Sequence, residues 1–310
     1  MPFNEVGRIA ILGVFVADTA YRAERQPRMG ETILGERFAL GPGGKGSNQA
    51  VAAGRLGAEV SFISKLGDDA FADLAFATWQ DATVRPVVTR NPDTYTGAAY
   101  IFVDDATGDN AIIICPGAAA TISPADVEAA GGVIRSAQVF VTQLEQPVEA
   151  ARRGLEIARS AGVTTILNPA PAMALDDELI ALCDWVTPNE TEAEGLTGVA
   201  VTSVEDARQA ADGLLRRGAG GAVITLGGNG ALLHTPGVSV HVGAVDAGPV
   251  VETTGAGDAF NGGFAVGLAR GMEPEAAVRF GAAVAGLSVT RPGTAPSMPS
   301  LVEVHDVLSK

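Results

Sequence analysis

The order of apolar strands and helices in the second half of the chain constrains the fold more than any other feature. Fully apolar strands are predicted at Val139–Thr142, 163–167, 185–187 and 222–226. Helical patterns lie between and after them, at 147–160, 203–217, 274–289 and Leu301–Leu308. Strands that are apolar along their whole length are buried on both faces, which is typical of a parallel sheet covered by helices on both sides. The sequence therefore predicts an α/β fold with a doubly wound, mostly parallel sheet flanked by helices.

The first half of the chain predicts a smaller β structure beside this sheet. Arg8–Leu12 and 59–64 are short and apolar, as expected of strands in the main sheet. The segment 18–40 has no helical period, and the alternating runs 94–103 and 110–115 flank a polar turn, which predicts a hairpin. We expect a single domain over residues 1–310, with a small β-sheet formed by two insertions at about 15–42 and 94–117.

Composition excludes several classes of partner. The formal net charge of −15 argues against nucleic acid and against an anionic membrane surface, because both need a basic face. The N-terminal apolar run is too short for a signal peptide or a membrane span, so a soluble cytoplasmic protein is expected. Cys115 and Cys183 lack the spacing of a zinc site or a disulfide framework and are expected to be buried free thiols.

Polar side chains follow the extended segments repeatedly. In a doubly wound sheet, ligands bind beyond the carboxyl ends of the strands. The residues that fall there are Asp18, Gly43, Gly44, Lys45, Gln143, Glu145, Asn168, Asn189, Glu192, Gly227 and Asp258, the last one interpreted as following the final strand. So many polar groups at one edge indicate a binding site rather than chance.

The stretch from Val251 to Gly263 contains the most unusual of these positions. Gly255, Ala256 and Gly257 precede a helix that we expect to run to Arg270, so their amides can face an anion at the helix start. Asp258 has two interpretations there. It is either a first-turn acid that complements the helix dipole, or a base held beside an anion-binding site.

The glycine-rich segment at residues 41–49 also has two interpretations. It contains Gly43, Gly44 and Lys45 but lacks the GxxxxGK[ST] spacing, so a phosphate-binding P-loop is not supported. The first interpretation is a glycine turn with a surface lysine. In the second, Gly43 and Gly44 let the backbone approach a small polyol, and Lys45 and Asn48 form hydrogen bonds with it.

Three segments together resemble the ribokinase family of sugar kinases. They are GPGGKGSNQAVAAGRLGA followed by SFISKLGDDAF, then TPNETEAEGLTG, and finally VETTGAGDAFNGGFAVGLA. The similarity extends over nearly the whole chain and includes NPAPA, TLGGNG and VTRPGTAPSMP. This combination of motifs is highly specific for the family.

The resemblance implies transfer of the γ-phosphoryl group of ATP to a primary hydroxyl of a sugar, with ribose favoured. Asp258 matches the catalytic base, and the amides of Gly255, Ala256, Gly257 and Asp258 match the anion hole, which agrees with the electrostatic demands of phosphoryl transfer. Asn189 and Glu192 match a segment that organises Mg²⁺ through water, although they would also serve as a helix cap. Thr225 and Gly227 match the nucleotide loop.

The same resemblance assigns the remaining ligand positions. On the sugar side it implicates Asp18, Gly43, Gly44, Lys45, Asn48 and Glu145. A monovalent-cation site, expected for K⁺, would involve Glu252, Thr254, Ser288, Arg291, Gly293 and Ser297. The small β-sheet matches the family's lid, which implies a homodimer formed through it.

Two departures from the family pattern bear on substrate and cation. Val16 stands where an Asn usually precedes Asp18 by two residues, so one sugar hydroxyl loses a partner, and a deoxy sugar, another pentose or a different polyol becomes an alternative. Glu252 replaces an Asp, which weakens the expectation of K⁺ activation. A nucleoside or keto-sugar-acid kinase of the same family remains open, as does a non-catalytic sugar or nucleotide sensor on the same fold.

Overall fold

The computed structural model describes residues 6–309, which form two sheets and the helices around them. The strands in this part of the chain are β1 (Arg8–Leu12), β2 (Val16–Ala23), β3 (Arg37–Gly43), β4 (Glu59–Leu66), β5 (Arg85–Arg90), β6 (Thr96–Asp104), β7 (Asn110–Gly117), β8 (Val139–Thr142), β9 (Thr164–Leu167), β10 (Trp185–Val186), β11 (Gly221–Thr225), β12 (Ala231–His234) and β13 (Ser239–Val242).

The α-helices within residues 6–309 follow in the same way. They are α1 (Lys45–Arg55), α2 (Ala70–Asp81), α3 (Pro124–Ala129), α4 (Gly131–Ser136), α5 (Val148–Ser160), α6 (Asp177–Ile180), α7 (Glu190–Thr197), α8 (Val204–Arg216), α9 (Ala256–Ala269), α10 (Pro274–Ser288) and α11 (Leu301–Leu308). None of the helices in the described part is long and apolar enough to cross a membrane.

The main sheet has nine strands in the order β13-β12-β11-β10-β9-β8-β1-β4-β5. The strands from β11 to β5 pair in parallel, and only the edge strands β12 and β13 pair antiparallel. The chain winds outward from β1 in both directions, through β4 on one side and β8 on the other. The crevice at the carboxyl ends of β1 and β8 is therefore the topological switch point where ligands bind in such sheets.

Side chains of the central strands alternate between two hydrophobic cores. Ile9 and Ile11 of β1 pack on one face, with α1, α9 and α10, while Ala10 and Leu12 pack on the other face, with α5 and α8. Because both faces are covered, these strands can be apolar throughout. The prediction of a doubly wound, mostly parallel sheet is confirmed.

The small sheet has the order β3-β2-β6-β7 and lies apart from the main sheet. Strands β6 and β7 form the expected hairpin, and β2 joins it by parallel pairing with β6. The outermost strand, β7, is exposed along nearly its whole length, including Cys115. The expectation that both thiols are buried is therefore wrong for Cys115, because an edge strand of a thin sheet has no layer to cover it, and right for Cys183.

Other local predictions need correction. Strands β5, β12 and β13 were not predicted, and α1 begins at Lys45, earlier than the apolar segment AVAAGRLG in which the sequence pattern indicates a helix. Asp258 does not follow a strand, since β13 ends at Val242 and the segment before α9 is irregular. That segment is held instead by the end of α10, where the carbonyl of Val289 accepts from the amides of Val251 and Glu252.

Candidate active site

The start of α9 is built to face a ligand. Gly255 is the N-cap residue, with a left-handed φ of 83° and no side-chain cap, and Gly257 has open space where a side chain would stand. The first-turn amides of a helix have no intrahelical partner, so this end attracts an anion. The amide of Ala256 donates to the carbonyl of Thr253 at 3.1 Å, which closes the turn before the helix.

Asp258, in the first turn of α9, is buried and bonded to α1. Asn48 Nδ2 donates to Asp258 Oδ2 at 3.0 Å, and Gln49 Nε2 donates to Asp258 Oδ1 at 3.1 Å. Burial raises the pKa of Asp258, and the charge of Lys45 and the two hydrogen bonds act in the opposite direction. A simple dipole acid would be exposed, so its environment favours the second interpretation of this carboxylate, that of a base.

Helix α1 brings its polar residues to Asp258 through a left-handed turn at Gly44. Gly44 has a φ of 88°, and a Cβ there would lie 2.5 Å from the carbonyl oxygen of Val14. Glu145 Oε2 accepts from the Lys45 amide at 2.8 Å and so caps the helix from a distant part of the chain. Burial lowers the pKa of Lys45, but the charges of Asp258, Glu145 and Glu192 outweigh it, so the pKa of Lys45 is raised.

Helices α1 and α9 approach each other closely at a glycine. A Cβ on Gly262 would lie 2.6 Å from Ala52 Cβ and 2.9 Å from the carbonyl oxygen of Gln49. The absent side chain allows the two backbones to meet, and this contact lies one helical turn beyond Asp258.

Asn189 and Glu192 form a reciprocal cap on α7. Asn189 Oδ1 accepts from the Glu192 amide at 2.8 Å, and Glu192 Oε2 accepts from the Asn189 amide at 2.9 Å. Glu192 is nevertheless only 8% exposed, and burial raises the pKa of its carboxyl. The cap interpretation is confirmed. Both residues also lie on the polar cavity described next, so the cap is compatible with a role in phosphate and metal binding.

Two adjoining cavities meet at the start of α9. A polar cavity of about 170 Å³ is lined by Lys45, Glu192 and Asp258 among others. A larger, mainly apolar cavity of about 590 Å³ lies beside Ala247, Phe260 and Val289. Both share Asn189, Thr225 and Gly257. The larger volume is within the range of small-molecule sites, and Gly227 lines it as well.

The residues expected on the sugar side come from the small sheet, the start of α1 and the segment after β8. The Asp18 carboxylate lies so close to Gly43 that a Cβ there would collide with it. Burial raises the pKa of Asp18 to about 6 and that of Glu145 to about 7. Asn48 Oδ1 is buried without a hydrogen-bond partner within residues 6–309, although its amide nitrogen is used. A buried acceptor in this state is suited to a ligand hydroxyl.

Val16 occupies the same face of β2 as Asp18. It pairs with Gly43 in the β2–β3 ladder and is 5% exposed. Its neighbours in the core include Val14, Ile63 and Ala99. Val16 therefore places an apolar side chain next to Asp18 on this face.

The residues expected at a monovalent-cation site come together in two adjacent segments. Glu252 Oε2 accepts from the Gly293 amide at 2.8 Å, which joins the segment before α9 to the segment after α10. Ser288 and Ser297 donate their hydroxyls to nearby backbone carbonyls, and Arg291 pairs with Glu303. Thr254 lies between Glu252 and the N-cap of α9. The side chains are thus largely occupied, which leaves backbone carbonyls as the available ligands.

Sequence reasoning singled out Asn168 but missed Gln49, Thr187 and Asn261, which are buried near Asp258. Gln49, Asn168, Thr187 and Asn261 are all buried and hydrogen-bonded to one another or to Asp258. No local signal marks Gln49, because it precedes the apolar segment AVAAGRLG that indicates the helix and its partners are distant in sequence.

Comparison with known proteins agrees with this geometry. Residues 7–301 match the pfkB family of carbohydrate kinases. A deoxyribokinase of Salmonella typhi is 38% identical over 303 residues, which cover 97% of this chain and 98% of that protein. A ribokinase of Staphylococcus aureus is 39% identical over 304 residues, covering 97% and 99%. The solved structure of Arabidopsis thaliana ribokinase complexed with ribose and ATP superposes with a TM-score of 0.93 at 32% identity, covering 99% of this chain and 100% of that one.

These matches extend over nearly the full length of each partner, and they include the segments that carry Lys45, Asn189 and Asp258. The resemblance found in the sequence motifs is confirmed, and with it the activity as a sugar phosphotransferase. The chain belongs to the pfkB family of carbohydrate kinases.

Proposed function

We propose that this kinase transfers the γ-phosphoryl group of ATP to the primary hydroxyl of a pentose, ribose or 2-deoxyribose. The observation that carries the proposal is the position of Asp258. It is a buried carboxylate at the start of a helix, on the polar cavity that adjoins the larger one. A hydroxyl in the polar cavity and a nucleotide in the larger one would meet at this residue.

The proposed roles follow from the chemistry of phosphoryl transfer. Asp258 accepts the proton of the attacking hydroxyl, and the first-turn amides of Gly257 and Asp258 stabilise charge on the transferred group. Lys45 places a positive charge on the polar cavity, where it would neutralise phosphate oxygens. Asp18, Asn48 and Glu145 would bind the sugar hydroxyls.

ATP fits the larger cavity by size and by its apolar lining, and the structure of Arabidopsis thaliana ribokinase is a complex with ribose and ATP. Mg²⁺ would neutralise and orient the phosphates. Of residues 6–309, no three or more acidic, histidine or cysteine side chains form a cluster able to hold a metal, so Glu192 would act together with water and phosphate oxygens. A reaction fed by ATP also agrees with the expected cytoplasmic location.

The monovalent cation remains part of the proposal. Backbone carbonyls of the segments joined by Glu252 and Gly293 would ligate K⁺ next to the start of α9. Replacing K⁺ by a bulky organic cation in the assay should lower kcat if this site is functional.

Val16 bears on which pentose is used. Its apolar side chain next to Gly43 and Asp18 cannot pair with a hydroxyl, so a sugar that lacks one there loses nothing. The similar identity to a deoxyribokinase and to ribokinases agrees with a site that accepts both sugars. A kinase for nucleosides or keto-sugar acids is the second candidate, favoured only by this loss of a polar partner.

The deciding experiment is ADP formation measured over a panel of acceptors. Ribose, 2-deoxyribose, fructose, adenosine and a 2-keto-3-deoxy sugar acid should be compared with ATP and Mg²⁺ in excess. We expect turnover with the two pentoses and product phosphorylated at the primary carbon, identified by NMR. Turnover restricted to the nucleoside or the keto acid would contradict the proposed substrate, and ligand binding without ADP formation would indicate a sensor.

We also propose a homodimer formed through the small sheet. The strand register puts Tyr21, Phe38, Leu40 and Ile113 on the face opposite Asp18, and all four are exposed. An apolar sheet face of this kind indicates an interface, and a second copy offers the same face. Sedimentation should give a dimer that Phe38→Asp converts to a monomer. A wild-type monomer at micromolar concentration would contradict the proposal.

A further inference from the structure

The side chain of Gln49 has a fully determined set of partners. Its Nε2 donates to Asp258 Oδ1 and to Asn168 Oδ1, both at 3.1 Å, and its Oε1 accepts from Gln143 Nε2 at 2.6 Å. Both glutamines have no exposed surface. Each polar atom of Gln49 is therefore used, and none is available to a ligand.

The direction of this chain of carboxamides is fixed from its far end. Asn168 Nδ2 donates to the carbonyl of Thr187 at 3.1 Å, so Asn168 must present its oxygen to Gln49. An ionised Asp258 can only accept. Gln49 must therefore present its NH₂ group to both and its oxygen to Gln143, which in turn presents its own NH₂ group.

Gln143 is itself held by two glycines that leave no room for other side chains. A Cβ on Gly13, after β1, would lie 2.5 Å from Gln143 Oε1, and a Cβ on Gly46, in α1, would lie 2.7 Å from it. The side chain thus lies wedged between β1, β8 and α1 at the switch point of the sheet. With Gln143 in this position, all three hydrogen bonds of Gln49 form at once.

We infer that Gln49, supported by Gln143, is a positioning residue that fixes the orientation of the Asp258 carboxylate and favours its ionised form. The inference rests on the proposed role of Asp258 as the base. Gln49 does not line either cavity described above, so it acts from behind the carboxylate. Asn48 holds the other carboxylate oxygen but also borders the sugar side, which makes Gln49 the cleaner test of positioning.

The test compares Gln49→Met with the wild-type enzyme in pH profiles of kcat/KM for the pentose. Methionine is of similar length and cannot donate, so the ionised base loses a hydrogen bond. We expect kcat to fall about tenfold to a hundredfold and the acid limb to move to higher pH by about one unit. The other titratable groups that face Asp258 are Lys45 from α1, Glu145 from the segment after β8 and Glu192 from α7. These three residues are the same in the variant and in the wild-type enzyme.

Gln146→Met is the matched control. Gln146 is also buried, but it bonds to Thr142 Oγ1 and to the carbonyl of Gln143 rather than to Asp258. Its loss should lower the melting temperature and leave the acid limb in place. If Gln49→Met does not fold, Gln143→Met is measured instead. This substitution removes the hydrogen bond from Gln143 to Gln49 and so frees Gln49 to rotate. The acid limb should then move in the same direction by a smaller amount.

Two results would overturn the inference in distinguishable ways. If Asp258→Asn is inactive while Gln49→Met keeps the wild-type acid limb and loses only thermal stability, Gln49 is structural and the base assignment survives. If Asp258→Asn keeps wild-type turnover, the proposed base is wrong and the positioning role is lost with it.

Discussion

The two sides of the cleft differ in secondary structure and in burial. The side around Asp258 is formed by helices α1 and α9, with buried side chains that hydrogen-bond to one another. The proposed sugar side includes Asp18 of the small sheet, whose edge strand β7 is exposed along nearly its whole length. A buried network holds one geometry, whereas a thin exposed sheet can shift or be substituted at little cost.

Because of this difference, we expect the two sides to determine different properties of the enzyme. The reaction requires fixed distances between donor, base and phosphoryl group, and a rigid helix pair provides them. Substrate choice requires only that the contacts of the sugar change, and we expect a substitution of Val16 in β2 to change them. We expect variants on the first side to alter kcat and variants on the second to alter KM and selectivity.

The largest effect should come from Asp258→Asn. Removing the proposed base while keeping the shape should lower kcat by about 10³-fold, with KM for the sugar nearly unchanged. Steady-state ADP formation measures both constants. Asp73→Asn is the matched control, since Asp73 is an exposed first-turn acid of α2 and should have no effect. Turnover of Asp258→Asn near the wild-type rate would contradict the assignment of kcat to the side around Asp258.

Asp18→Asn should act on the other side of the comparison. The ionised carboxylate beside Gly43 accepts hydrogen bonds from sugar hydroxyls more strongly than an amide does, so KM for the pentose should rise about 30-fold while kcat changes less than about threefold. The exposed Asp105→Asn variant controls for loss of charge on the small sheet. A fall in kcat with unchanged KM would place Asp18 with the catalytic groups instead.

Val16→Asn should sharpen the sugar side further. An amide at this buried position can pair with a hydroxyl, so the ratio of kcat/KM for ribose to that for 2-deoxyribose should increase about tenfold. The two sugars are compared in a competition assay with NMR detection of both phosphates. Val16→Ala supplies space without a polar group and should leave the ratio within about twofold. Equal ratios in both variants would mean that Val16 does not contact the sugar.

The smallest effect concerns stability. The pKa of Asp18 is raised to about 6 in the folded protein from 3.8, so the folded state binds its proton more tightly than the unfolded state. Below about pH 4 the bound proton stabilises the folded state, and this contribution is lost as the pH rises to about 6. Asp18→Asn should therefore raise the melting temperature by about 3 °C at pH 8 and by little at pH 4. An unchanged melting temperature at pH 8 would show that solvent already stabilises this carboxylate.

Sequence patterns predicted the elements whose burial follows a regular period. The strands from β8 to β11 and the helices α5, α8 and α10 were all recognised, because a fully buried strand and an amphipathic helix have distinct periods. Strand β5 was missed since its sequence, RPVVTR, has charged ends and a proline, which an edge strand tolerates. The short antiparallel edge strands β12 and β13 gave signals too weak to separate from a loop.

The candidate site was predictable where residue type alone carries chemistry. Lys45, Asn189 and Asp258 stand out at strand ends or helix starts, and the structure brings them to one cavity. Gln49 could not be recognised, because its role depends on Asn168 and Gln143, which are 119 and 94 residues away. Hydrogen bonds across such separations are created by topology and leave no local pattern.

The close contact at Gly262 sets the distance between helices α1 and α9, and the proposed catalysis depends on that distance. The reach from Asn48 and Gln49 to Asp258 is fixed by how far apart the axes of α1 and α9 lie, and the missing Cβ of Gly262 sets that spacing against Ala52. A methyl group added there would push the helices apart by tenths of an ångström, without touching sugar or nucleotide. A residue that contacts neither ligand thus sets the geometry of the proposed base, and this requires a glycine at position 262.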